Sequence, residues 1–133
     1  MLADCPFPGY CPELIVRIIN PANGHVHLTR ALIDTGASCC SMPAFIAQRL
    51  GHTLHNGTIK GGLDTAGGKA SAFVHSAVLE LYHPVTRKPI CKTNTIHIDC
   101  LDSLPVVLLG ADGFLNNLIL TVNYPAKTFS LKK

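Results

Sequence analysis

The feature that most restricts the fold is a succession of short aliphatic and β-branched runs, each stopped by turn residues. LIVRII, Leu14 to Ile19, ends at the dense turn signal NPANG, Asn20 to Gly24. HVHLTRALID then runs extended, with Val26, Leu28 and Leu32 at even spacing, so the two runs make a hairpin. FVHSAVLEL places Phe73, Ala77, Leu79 and Leu81 on one alternating face, and ICKTNTIHI, Ile90 to Ile98, is a further strand. LPVVLLG is an apolar run ending in Gly110, and LILTVNYPAKTFSL closes the chain as a hairpin about Tyr124 to Lys127. Only two stretches read as helix. In SMPAFIAQRLG, Ser41 can cap, Pro43 suits the first turn and Gly51 the stop, while ADGFLNN predicts about two turns. Residues 1 to 13, with three prolines, read as an irregular arm. Many short strands and few helices predict a mostly β domain, closed or sandwich-like.

A chain of 133 residues suffices for one domain, residues 14–133 behind the arm, and is too short for two ordinary ones. Hydrophobic residues make up 47% and charged residues 14%, which excludes a disordered chain and hints at apolar surface covered by a second copy. The net charge of +3 is scattered, and there is no Trp, so no basic stripe with aromatic platforms is present and no nucleic-acid partner is expected. The longest apolar candidate, PVVLLGADGFLNNLILTV, is broken by Asp112 and Asn116-Asn117, so no membrane segment is expected. The opening residues lack a secretory pattern, and the expected location is cytoplasmic unless the domain comes from a longer protein. Most of the six cysteines are then read as reduced, small apolar residues. Cys5, Cys11, His25 and His27 lack the spacing of a zinc site, so no metal is expected.

Chemistry is concentrated in ALIDTGASCC, Ala31 to Cys40. An apolar run delivers Asp34 into a small-residue turn. Gly36, without a Cβ, lets a second backbone or a substrate approach, and the Thr35 hydroxyl can hydrogen-bond across the site. Amide hydrolysis by carboxylates needs two of them sharing one proton, one acting as base and the other as acid. Cys39 and Cys40 beside the site read as compact packing residues, with oxidation as the other reading.

Far downstream, Val107-Leu108-Leu109-Gly110 stands immediately before the short helix expected at ADGFLNN, and between the two lies Thr65-Ala66-Gly67-Gly68. In order and spacing, Leu32 to Ser38, Thr65 to Gly68 and Val107 to Gly110 resemble the retropepsin-like aspartic proteases, over nearly the whole of Leu14 to Leu131. The resemblance implies a closed β-barrel-like retropepsin fold with one or two short helices. It implies Asp34 as the catalytic residue, supported by Thr35, Gly36, Ala37 and the bracing Gly110. It also implies a flap over the substrate at Thr65, Ala66, Gly67 and Gly68, and a peptide or protein substrate. Leu32, Val106 and Leu108 are placed equally well for pocket lining and for core. No cofactor is implied. Retroviral members usually carry an Arg just after the braced glycine, where this chain has Ala111-Asp112.

Leu63-Asp64-Thr65-Ala66-Gly67 superficially repeats the first motif, but Asp64 lacks the glycine directly after its threonine. Two lobes with a core each would also need their motifs roughly 100 residues apart. The second carboxylate is therefore expected from Asp34 of a second copy, making the enzyme a homodimeric endopeptidase. The alternative is a catalytically silent peptide-binding or dimerisation module on the same fold.

Overall fold

The computed structural model describes the backbone of residues 1–53, 58–65 and 68–133, and side chains outside 54–71. Its strands are β1 (Leu2–Pro6), β2 (Glu13–Ile19), β3 (Val26–Ile33), β4 (Ser41–Pro43), β5 (Thr58–Thr65), β6 (Gly68–Tyr82), β7 (Pro89–Lys92), β8 (Ile96–Leu101), β9 (Val107–Leu109), β10 (Ile119–Asn123) and β11 (Thr128–Lys132). A single α-helix, α1 (Ala44–Arg49), and a 3-10 turn at Leu115–Asn117 complete the described elements. The expected mostly β, closed-barrel class is what the chain adopts.

Six strands close a ring in the order β2-β3-β9-β4-β8-β6, with β6 pairing back onto β2. Two of the ladders, β3–β9 and β4–β8, are parallel. β6 is long enough to serve four partners: β5 through Gly68–Val74, β8 through Phe73–Ala77, β2 through Val78–Tyr82 and β7 through Glu80–Tyr82. Closure leaves the barrel few free edges, which limits unwanted strand pairing. The N- and C-terminal strands form a separate sheet, β1-β11-β10.

Period-two alternation fills the barrel. Leu14, Val16 and Ile18 of β2 point inward with Leu79 and Leu81 of β6, all fully buried. Helix α1 covers one end with Ile46, Ala47 and Leu50 and leaves Phe45 exposed. The buried Asn20 ties the β2–β3 turn to this helix: its Nδ2 donates to the Leu50 carbonyl at 2.8 Å and its Oδ1 accepts from Ala22 N–H.

Four local readings need correction. Residues 1 to 13 are not irregular throughout, because Leu2–Pro6 pairs with β11 and buries Leu2 and Cys5. Ser41 does not cap α1. It lies in β4 opposite Asp99 and Leu108, and the helix starts after Pro43 without a side-chain cap. ICKTNTIHI is two strands, β7 and β8, because Thr93–Thr95 breaks the run and Thr93 turns its hydroxyl to accept from Leu79 N–H. ADGFLNN forms one 3-10 turn and no two-turn helix, since Gly113 sits at φ +90. The even-numbered stripe of β3 also faces outward. Val26 and Leu28 are exposed, and the buried residues are Ala31 and Ile33.

Past α1, Gly51 takes a left-handed φ of +79 and the chain turns back, with His52 N–H donating to the Ala47 carbonyl at 3.0 Å. The His52 ring stacks on His75 of β6 with centroids 4.4 Å apart, and its Nε2 is buried without a hydrogen-bond partner among the described residues. Burial, and then the charge of His75, hold the His52 pKa below its ordinary 6.5. Burial and the nearby Arg49 do the same for His27. Each imidazole binds fewer protons folded than unfolded on the acid side of 6.5. Stability from these groups is therefore complete above that value and is lost as pH falls through the depressed folded pKa values. Urea unfolding should show the midpoint falling between pH 7.5 and 5.5. His52→Phe, which keeps the ring stack and removes the proton site, should fall less over the same interval.

Candidate active site

β3 and β9 run side by side in parallel, with Ala31, Leu32 and Ile33 opposite Val107, Leu108 and Leu109. Both strands end together. Asp34 N–H donates to the Leu109 carbonyl at 3.0 Å, so the aspartate emerges where the barrel wall stops. On the other side of β3, Ile33 N–H donates to the Pro12 carbonyl at 2.9 Å, which pins the approach from both flanks.

The loop after Asp34 is tight. Ala37 N–H donates to the Asp34 carbonyl at 3.2 Å, and Gly36 N–H donates to Asp34 Oδ1 at 2.9 Å. A Cβ on Gly36 would meet that same oxygen at 3.3 Å. One carboxylate oxygen is thus occupied by the backbone, and Asp34, Thr35 and Gly36 form a half-buried to exposed rim. Among the described residues the Thr35 hydroxyl makes no hydrogen bond.

Gly110 is the brace. A Cβ there would lie 2.2 Å from the Cys39 carbonyl oxygen and 2.8 Å from that of Ala37, both backbone atoms with no room to move. Immediately after it, Ala111 N–H donates to the Ala37 carbonyl and Asp112 N–H to the Ser38 carbonyl, each at 2.9 Å. Two loops distant in sequence are therefore bonded edge to edge, and only glycine permits the approach.

Leu32 and Leu108 face each other across the β3–β9 ladder and are half-buried, as is Val106 just ahead of β9. They are more exposed than their neighbours Ala31, Ile33, Val107 and Leu109, which are buried. Cys11, half-buried next to Pro12, lies close enough for the charges of Glu13 and Asp34 to add to burial in raising its thiol pKa. Cys40 is fully buried, and burial pushes its thiol up to about 11, so it packs as an inert apolar residue. Cys39 differs: its Sγ donates to Oδ2 of the buried Asp99 at 2.9 Å. Asp99 was not picked out by sequence reasoning. A carboxylate inside the strand IHIDCL, where a solvent-facing residue or an aliphatic one is ordinary, was the signal available.

All six cysteines are free thiols. Cys5 is buried in the terminal sheet, and among the described residues no cluster of three or more metal-binding side chains forms. Of the expected flap, Thr65 and Gly68 pair to close the β5–β6 ladder, while Ala66 and Gly67 lie outside the described residues. Asp64 pairs with Lys69 near this end of the hairpin, far along the chain from the Asp34 loop. Substituting Gly110→Ala should destabilise the fold by about 3 kcal/mol or more, since the added methyl meets backbone. Chemical denaturation checks this, with Ala111→Ser as a control that leaves the loop contact intact.

No curated protein sequence matches the chain. The fold is similar to that of a retropepsin-like aspartic protease from Rickettsia conorii, at 19% identity over 89% of each chain with a TM-score of 0.60. It is also similar to the EIAV protease complexed with the inhibitor HBY-793, at 22% identity over 77% of this chain and 83% of that one, with a TM-score of 0.50. No described helix is long and apolar enough to cross a membrane. The aspartyl protease family model matches residues 16–82, half of the chain and the part that holds the Asp34 loop, and the chain belongs to that family.

Proposed function

We propose that the protein is a homodimeric aspartic endopeptidase whose site is completed by Asp34 of a second copy. The observation that carries this reading is the braced loop at the barrel's end. It presents one carboxylate, with one oxygen fixed by Gly36 N–H, on a rim open to a neighbour. One such group hydrolyses amides poorly, and Asp64 is not set in an equivalent loop. A twofold axis through the rim supplies the missing partner.

Two carboxylates so close cannot both ionise, and the pair holds one proton. The ionised member takes a proton from water, whose oxygen attacks the scissile carbonyl carbon. The protonated member gives its proton to the carbonyl oxygen as the tetrahedral species forms. Thr35, whose hydroxyl makes no hydrogen bond among the described residues, is placed to hydrogen-bond to the twin loop. The β5–β6 hairpin closes over an extended peptide held by strand-like backbone hydrogen bonds. The terminal sheet supports self-association. It ends on β1 and β10, and exposed Ile119 stands on β10, a pattern that invites another strand or sheet.

Digestion of a peptide library across acidic to neutral pH, with products read by mass spectrometry, should show cleavage by the wild type. Asp34→Asn should lose at least about a thousandfold in rate, as removal of an acid–base group does. Cleavage that persists in Asp34→Asn would remove the proposed chemistry. A stable dimer by sedimentation that cleaves nothing would favour the silent binding module.

A further inference from the structure

The outward face of β2, β3 and β6 carries a groove of about 270 Å³, lined by Ile15, Arg17, Leu28, Tyr82 and Arg87. It is remote from the Asp34 loop. Leu28 lies six residues before Asp34 on β3, which is about 20 Å of extended strand. Ile15 forms the floor at 6% exposure although it points away from the barrel, and Leu28 stands beside it at 57% exposure. An exposed leucine flanking a recessed isoleucine on a sheet's outer face is apolar surface without a cover in the single chain.

The charges around it are unequal. Arg17 Nη1 bonds Glu80 Oε1 at 3.3 Å, and the Tyr82 hydroxyl donates to the other oxygen of Glu80 at 2.9 Å. Glu80 is thereby satisfied, and Arg87 is left without an ion pair among the described residues. Its position is built rather than incidental. His83 Nδ1 accepts from both Val85 N–H and Thr86 N–H at 3.1 Å, and Arg87 N–H donates to the His83 carbonyl at 2.9 Å. This turn holds Arg87 at φ +61, a left-handed conformation that costs a non-glycine residue energy and recurs where side chains are aimed for use.

We infer that this groove is a docking site for an acidic segment of the protein substrate, an apolar side chain entering over Ile15 with a flanking Asp or Glu against Arg87. The inference rests on the protease reading for its occupant. A second copy is a poorer occupant, because an isologous contact would bury two Arg87 charges, one from each protomer, against a groove whose lining residues include no carboxylate. A groove on the barrel's side, reached along β3 from the site, tethers a protein substrate outside the cleft. Such a tether raises its effective concentration at Asp34 without touching the cleaved bond.

The test uses the uncleaving Asp34→Asn chain and a fluorescein-labelled peptide, Glu-Leu-Glu-Phe-Glu-Leu-Glu, read by anisotropy. Saturable binding is expected. Arg87→Glu should weaken it at least about tenfold, as should Leu28→Ser, and the peptide with Lys in place of every Glu should not bind. Both substituted side chains are exposed, so circular dichroism should show both variants folded. In otherwise wild-type protein, Arg87→Glu should leave cleavage of a short neutral library peptide unchanged. Equal binding of the acidic and lysine peptides, indifference to Arg87→Glu, or no binding at all would overturn the inference. So would a shift from dimer to monomer in either variant, which would assign the face to a second copy. If the groove fails while the short peptide is still cut, only the docking site falls. If nothing is cut but the acidic peptide binds, the protease reading falls instead.

Discussion

Everything at the site depends on the contact between the end of β9 and the loop after Asp34. A strand that simply ended in an aspartate would leave that side chain on a floppy tether, and positioning to a fraction of an ångström would be lost. Here the Leu109 carbonyl holds Asp34 N–H, and Gly110 lies against the Ala37 and Cys39 carbonyls at a distance no side chain allows. The next two N–H groups, of Ala111 and Asp112, stitch the same loop from beyond. The backbone of the aspartate is thereby tied on both sides to the barrel that carries it. Parallel pairing of β3 and β9 brings both ends to the same place, which an antiparallel pair would not do.

Much of this was legible because its causes are local. LIVRII and NPANG specify a strand and its turn, and β2 occupies Glu13–Ile19. The closing hairpin about Tyr124–Lys127 was written in its turn residues, and β10 and β11 flank it in register. Gly36 was legible because a close approach needs a residue without a Cβ, and the bracing Gly110 was visible through its place in the resemblance. Boundaries decided by tertiary contact were less visible. Ser41 has the chemistry of a helix cap, yet β8 and β9 offer it ladders on both sides, and pairing outweighs capping. Asp99 escaped notice because what makes it tolerable, the Cys39 thiol, is 60 residues away.

Acid acts on this molecule in two opposed directions. A carboxylate pair sharing one proton works only where that proton is retained, which favours mildly acidic conditions. The His52 ring, stacked on His75 of β6 with centroids 4.4 Å apart, sits in a partly dry place where burial disfavours its protonation. The conditions that prime the proposed dyad thus loosen the contact between the helix and the long strand leading from the β5–β6 hairpin.

The apolar stripe of β3 shows why a periodic pattern and a fold can agree while the burial differs. Alternation establishes that Val26, Leu28 and Leu32 share a face, and they do, but it does not say which face meets the core. The inward face is taken by Ala31 and Ile33, because β3 sits between β2 and β9 and its end must deliver Asp34 against Leu109. With the register fixed by the site, the larger side chains near the start of the strand are forced outward. Aliphatic residues held on a surface by that constraint remain exposed in the single chain, Val26 at 47% and Leu28 at 57%. Next to them the chain places Arg87 in a strained turn, and the two features together make the outer wall of the barrel a surface of defined chemistry.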